Sequence, residues 1–460
     1  MRSVPSARSA FLSREPECLE EVSRKLEPSA AERALLEEET SRVRSALWRA
    51  LELSGRSSQV VAVEVEGSFA RDTWLPGDVD VDIFLLFRRD VGPELLRETA
   101  RVVSELAAEE LSARLEVRYA SHPYFVIKLK SIEVEVVPAY YTSSPAELVT
   151  PVDRTPHHTA FVRTALGENP RLKSDIRMFK KLLKSIGVYG AETWVGGFCG
   201  LLPLLRSAVE WRPGKVFVPD TEEARKFAGS PLVVLDPVDP RRNAAAAVSK
   251  EALWKLIAIA RLASQVPDLL CCFIDPPKLA PDEETLRNAM RGRTFLFVTA
   301  EKLPEMPADA VKGKLTRVLR RVRKGLEASG FTVYRGGLLD LRAGPVLAFE
   351  VESSWLPPLR LHLGPPVWSP HSARFLRKWV SARSGPFLKE HRWVVVAPRK
   401  IRAVEDAARR LLSSYRDFSW AFLSPEELVN LCASEEDKKK LYSWVTGIEE
   451  WMLCFESAGA

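Results

Sequence analysis

Residues 67–87 read GSFARDTWLPGDVDVDIFLLF. The stretch opens with a Gly-Ser turn and closes on a hydrophobic run. Between them Asp78, Asp80 and Asp82 alternate with Val79, Val81 and Ile83. On a strand, alternate side chains share a face, so one face carries carboxylates and the other aliphatics. Carboxylates held on a rigid strand suit a hard divalent cation. A turn of small residues ahead of them offers backbone N–H groups to a phosphate.

Working outward, Val60–Val65 alternates as a strand that delivers Gly67. Ala30–Leu53 has apolar residues near helical spacing, with Ser29 as its cap. Pro93 opens a helix to about Leu111. Strands follow at Leu115–Tyr119, Tyr124–Leu129 and Ile132–Pro138. The last of these, IEVEVV, sets Glu133 and Glu135 on one face. If it neighbours the Asp80–Asp82 strand, three carboxylates converge, as a site for two metal ions roughly 3.5–4 Å apart requires. Two amphipathic strands with wet polar faces are the plainer alternative.

Beyond Tyr141 the texture becomes helical. The loop TPVDRTPHH precedes IRMFKKLLKSIGVYGAE and the apolar GGFCGLLPLLRSAVEW, in which Pro203 is expected to disturb a helix. LVVLDPVDPRRN is followed by a helix over Asn243–Val266. Pro276, Pro277 and Pro281 mark a linker. Next come a strand at Thr294–Val298, a basic helix over Ala308–Leu326, and strands at Phe331–Tyr334 and Val346–Glu352. LHLGPPVWSP breaks the order; Ser372–Val380 is helical, Trp393–Ala397 is a strand, and helices run to the end. The expected fold class is α+β and multidomain. Its parts are a head at 1–140 with a mixed sheet, a helical neck at 141–266, a body at 267–300 and 395–460, and a tail at 301–394.

A length of 460 residues supports two to four domains. The net charge of +6 is too small to diagnose nucleic acid unless the basic residues cluster. They do in Lys312–Lys324, KGKLTRVLRRVRK, where Leu315, Val318, Leu319 and Val322 form an apolar stripe. That leaves Arg317, Arg320, Arg321 and Lys324 for solvent or for phosphates. None of the six cysteines forms a CxxC pair, so neither a zinc site nor a disulfide framework is expected, and a reducing cytoplasm fits. No apolar run is long enough to span a bilayer, and no secretory leader is read at the N-terminus.

The string GS…DVD resembles the signature of the polymerase-β-type nucleotidyltransferases. With VEVVPAY, VDRTPHH, IGVYGAE and DPVDPRRN in order, the chain resembles the archaeal, class I, CCA-adding tRNA nucleotidyltransferases. The resemblance implies template-independent addition of CCA to tRNA from CTP and ATP. It also implies two Mg²⁺ ions on Asp80, Asp82 and Glu135. Gly67, Ser68 and Arg71 would hold the triphosphate, with Lys180 and Tyr189 beside it. Thr155 and His158 would contact the nucleotide, and Arg242 and Asn243 the base side. Arg374, Arg377 and Lys378 would join the basic helix on tRNA, recognised by shape. A homodimer is compatible with the family. Glu135 departs from the family's usual Asp, and Cys199, Leu201 and Leu204 stand in a segment that is more polar in the family. An inactive RNA-binding relative and a poly(A)- or oligoadenylate-type enzyme are the alternatives.

Overall fold

The computed structural model describes residues 16–119, 123–186, 200–304, 306 and 308–457. They fall into two compact units, Met1–Pro277 with Glu450–Ala460, and Lys278–Glu449. The boundary lies in the proline-rich linker. Residues 450–457 cluster with the first unit, whereas the sequence reading grouped them with the C-terminal body.

The first unit begins with a five-stranded sheet of β1 (Val60–Glu66), β2 (Val81–Phe87), β3 (Arg114–Tyr119), β4 (Pro123–Lys128) and β5 (Glu133–Tyr140). The order is β1-β2-β5-β4-β3, with β2 and β5 parallel and every other pair antiparallel. A parallel pair needs a crossover, and Pro93–Glu110 with β3 and β4 provides it. β2 reads VDIFLLF and is buried on both faces from Ile83 onward. One face packs under Ala30–Leu53 and Pro93–Glu110, with Leu47, Leu51, Ile83, Leu85, Val103 and Val136 in one core. Ser29 caps the long helix by accepting from Glu32 N–H.

The helical layer of this unit contains Arg154–Glu168, Leu172–Ser185, Leu201–Ala208, Lys250–Gln265 and Leu269–Ile274. Leu182, Leu183, Leu204, Leu205, Leu253 and Phe273 form its core. A Leu→Ala change at any of these leucines costs roughly 2–5 kcal/mol.

Three local expectations change here. The VDRTPHH segment is not a loop: Arg154–Glu168 is helical, with Pro156 in its first turn, where a missing N–H is tolerated. Pro203 likewise sits in the first turn of Leu201–Ala208 and breaks nothing. The helix expected from Asn243 starts at Lys250, because Ser249 caps it by accepting from Ala252 N–H.

The expectation of no disulfide framework is overturned. Cys18 is bonded to Cys271 and Cys272 to Cys454. Their partners are 253 and 182 residues apart, so no local spacing marks them. Helix Cys18–Lys25 and the segment from Glu450 to Ser457 are thereby fastened to Leu269–Ile274.

The second unit holds a four-stranded antiparallel sheet ordered Ser419–Leu423, Thr294–Lys302, Gly344–Val351, Val333–Leu341. Helix Ala308–Ser329 buries Leu315, Val318, Val322 and Leu326 on one face of it. A smaller three-stranded sheet places Arg392–Pro398 between Leu359–Pro366 and Phe387–Lys389. Gly364, Pro365 and Pro366 predict a break at the end of Leu359–Pro366. The segment is an edge strand, where a residue without an N–H is admissible.

Candidate active site

The register of β2 sets the geometry. Asp82 lies opposite Glu135 on the parallel side and opposite Glu66 on the antiparallel side. A row of three carboxylates therefore crosses three strands, and Asp80 stands just before β2 begins. The expected neighbours Asp82 and Glu135 are brought together. Burial raises the Glu135 carboxyl, the negative charge of Asp80 raises it further, and Arg118 opposes both.

Glu66 is the residue that sequence reasoning missed. It is buried, and burial pushes its carboxyl up to about 6 against a hydrogen bond with Thr159. Its Oε2 has no hydrogen-bond partner. The alternation VEVEG already placed Glu64 and Glu66 on one face; the signal lacking was the partner strand.

Gly67 has φ +72°, in the left-handed region, and a Cβ there would run into the Asp82 carboxylate. The Gly-Ser turn thus follows from both backbone conformation and close approach. Ser68 C=O accepts from Thr73 N–H at 3.0 Å, which closes the turn. Arg71 is buried and donates to Thr159 Oγ1 at 3.1 Å. Lys180 Nζ donates to Thr73 C=O at 3.1 Å. Asp72 adds a brace: Lys173 and Arg177 bond its carboxylate at 3.0 and 2.8 Å, and Arg33 pairs with it as well. Burial would raise Asp72, and these cations hold it below the usual value. Asp78 does not join the acid row; it pairs with Lys184.

A second cluster gathers residues expected at the nucleotide. His158 Nε2 lies 2.7 Å from Asp236 Oδ1, and Arg242 Nη1 donates to Asp236 Oδ2 at 2.7 Å. Val238 N–H also donates to Asp236, at 2.9 Å. Asp236, the first aspartate of DPVDPRRN, is the buried anchor of this cluster. Asn243 is buried, and its side-chain amide is engaged by backbone: it accepts from Val234 and Ala245 N–H and donates to Leu232 C=O. Thr155 lies in the first turn of Arg154–Glu168, half-buried. His157 bonds Thr142 Oγ1 at 2.8 Å. Tyr189 and Cys199 lie outside the described residues.

The donor set on β2 and β5 is all hard oxygen, which fits a divalent cation in kind and in register. Among the described residues, however, no three His, Cys, Asp or Glu side chains are gathered closely enough to hold a metal by themselves. Mg²⁺ in phosphate-transfer sites usually rests on one or two carboxylates together with substrate phosphates and water. The arrangement agrees with that pattern.

The expected RNA-facing cations are exposed. Arg317, Arg320, Arg321 and Lys324 lie on the solvent side of Ala308–Ser329. Arg374, Arg377 and Lys378 lie on Ser372–Trp379, a helix with no buried residue. No helix among the described residues is long and apolar enough to cross a membrane.

Comparison with known proteins adds three matching family models. A nucleotidyltransferase domain matches residues 48–158. The second domain of tRNA nucleotidyltransferase matches 174–273, and the C-terminal domain of the CCA-adding enzyme matches 291–417. The CCA-adding enzyme of Methanoregula boonei is 33% identical over 411 residues, covering 84% of each chain. That of Pyrobaculum aerophilum is 35% identical over 399 residues, covering 84% of this chain and 90% of the relative. That of Methanopyrus kandleri is 33% identical over 460 residues, covering 93% of this chain and 92% of the relative.

Proposed function

The chain belongs to the CCA-adding enzymes, a family of tRNA nucleotidyltransferases, and on that premise we propose that it builds CCA on the tRNA 3′ end from CTP and ATP, releasing pyrophosphate. The observation that carries the reading is the facing of Asp82 and Glu135 on parallel strands behind the Gly67 turn.

Asp80, Asp82 and Glu135 would hold two Mg²⁺ ions. When bound, such ions neutralise phosphate charge and make the attacking hydroxyl a better nucleophile. The N–H groups of the Gly67–Ser68 turn cradle the triphosphate. Arg71 and Lys180, which donate to Thr159 and Thr73 on either side of the turn, bring positive charge to it. Asp236 orients Arg242 by one N–H, and the planar guanidinium has further donors for acceptors on cytosine or adenine. His158 is turned toward the same carboxylate, and Thr155, Tyr189 and Asn243 complete the reading, Asn243 through the backbone it holds. Catalysis is then mostly positioning of the 3′-hydroxyl in line with the α-phosphate. Arg317, Arg320, Arg321, Lys324, Arg374, Arg377 and Lys378 bind tRNA phosphates. Head, neck, body and tail keep their expected roles, and the work is done in the cytoplasm. Structural disulfides are compatible with that location in the intracellular proteins of hyperthermophiles.

The test is direct. Incubation with tRNA lacking CCA, CTP, ATP and Mg²⁺, followed by sequencing of the 3′ ends, gives CCA. A run of A without C overturns the reading in favour of a poly(A)-type enzyme. Tight tRNA binding without incorporation overturns it in favour of an inactive relative.

A further inference from the structure

Trp368 is 72% exposed, yet its ring is stacked on His391, with centroids 5.2 Å apart and planes 13° from parallel. It belongs to no hydrophobic core. The nearby aromatic group of His362, Phe375 and Trp379 has a different part: it packs helix Ser372–Trp379 onto the small sheet. Trp368 is also held in place. Val367 N–H donates to His391 C=O at 2.9 Å and Ser369 N–H to Pro366 C=O at 2.9 Å. Ser372 Oγ donates to Pro366 C=O at 3.0 Å. A large flat side chain is thus kept in water by a fastened turn, although burial of its apolar surface would be favourable.

The surrounding charge identifies what fits it. Between Leu359 and Lys400 the sequence has nine Lys and Arg and one acid, Glu390, an excess larger than the net +6 of the whole chain. A partner with flat apolar faces and dense negative charge is a nucleic acid. We propose that Trp368, backed by His391, is a stacking platform for a base of the RNA partner, one that is unpaired or closes the end of a stack. Stacking on an exposed ring does not require a particular base, because every base has a π-face. This distinguishes the contact from the phosphate contacts of Arg374, Arg377 and Lys378. The exposed leucines Leu359, Leu361 and Leu363 on the edge strand would suit a protein partner, but the charge favours RNA. The inference rests on the tRNA reading above.

The experiment measures tRNA affinity of the full chain at several salt concentrations. Trp368→Ala and Trp368→Gln are expected to weaken binding roughly ten-fold or more, and Trp368→Phe much less. The slope of log affinity against log salt stays at the wild-type value, since no phosphate contact is lost. KM for tRNA rises and kcat holds. Thermal melting is unchanged, because the ring is exposed. Wild-type binding with unaltered affinity in both variants overturns the platform alone. Failure of the wild type to bind tRNA overturns the parent reading. A change of molecular mass in solution with RNA binding intact overturns the platform in favour of a second copy as occupant.

Discussion

His158 and Arg242 meet on one carboxylate, Asp236, although the two are 84 residues apart in sequence. Burial would raise the Asp236 carboxyl. The hydrogen bond and charge of His158, the Val238 N–H and Arg242 together hold it well below the ordinary carboxylate range. Asp236→Asn is expected to cost roughly 1.5–3 kcal/mol, the worth of a charged hydrogen bond, read by denaturant unfolding. The sign with pH follows from the depressed value. The contribution is complete above the unfolded carboxyl's pKa of about 3.9 and is lost as pH falls toward the folded value. The gap between wild type and variant should therefore narrow as pH falls below about 4. A gap that widens on acidification refutes the pairing.

Gly67→Ala should remove nucleotide addition while the chain stays folded. The new methyl group collides with the Asp82 carboxylate and also strains a left-handed backbone. Single-turnover incorporation should drop at least a hundred-fold, while tRNA affinity stays within about two-fold of wild type. A variant with near-normal rate would mean that Asp82 tolerates displacement and is not a ligand.

Asp80→Ala and Asp82→Ala should each abolish incorporation and leave tRNA binding intact, checked by gel shift beside 3′-end labelling. Glu135→Ala should do the same. Glu135→Asp should retain activity because the carboxylate stays opposite Asp82. A large gain in that variant would mean that the longer side chain compromises the native site.

Replacing Arg320 or Arg321 by Ala should weaken tRNA binding about equally for all tRNAs. Each should lower the salt slope by about one unit if it contacts a phosphate. An unchanged slope would mark the Ala308–Ser329 helix as a solvated face.

Much of the fold is legible in the sequence. β2 is an apolar run led in by alternating acids, β5 and the long Ala30–Leu53 helix show their periods, and the pairing of Asp82 with Glu135 follows once their strands are neighbours. Glu66 and Asp236 were not legible, because each acquires its role from residues brought up by another part of the chain. The segment expected as a loop, TPVDRTPHH, holds the start of Arg154–Glu168; Pro156 there is compatible with a first helical turn. Leu359–Pro366 was missed because its prolines are harmless only on an edge, and strand order is not written in local sequence.

Cys271 and Cys272 are joined by one peptide bond, and each carries a bridge to opposite ends of the chain. The covalent molecule is a figure of eight: one ring closes at Cys18, the other at Cys454, and they share only that link. A single backbone cut in either ring should leave one piece on a non-reducing gel and two after dithiothreitol; two pieces without reductant would show that the bridges are not formed. The whole Lys278–Glu449 unit lies within the second ring. A protease nick in any of its loops would therefore open a ring without releasing a fragment.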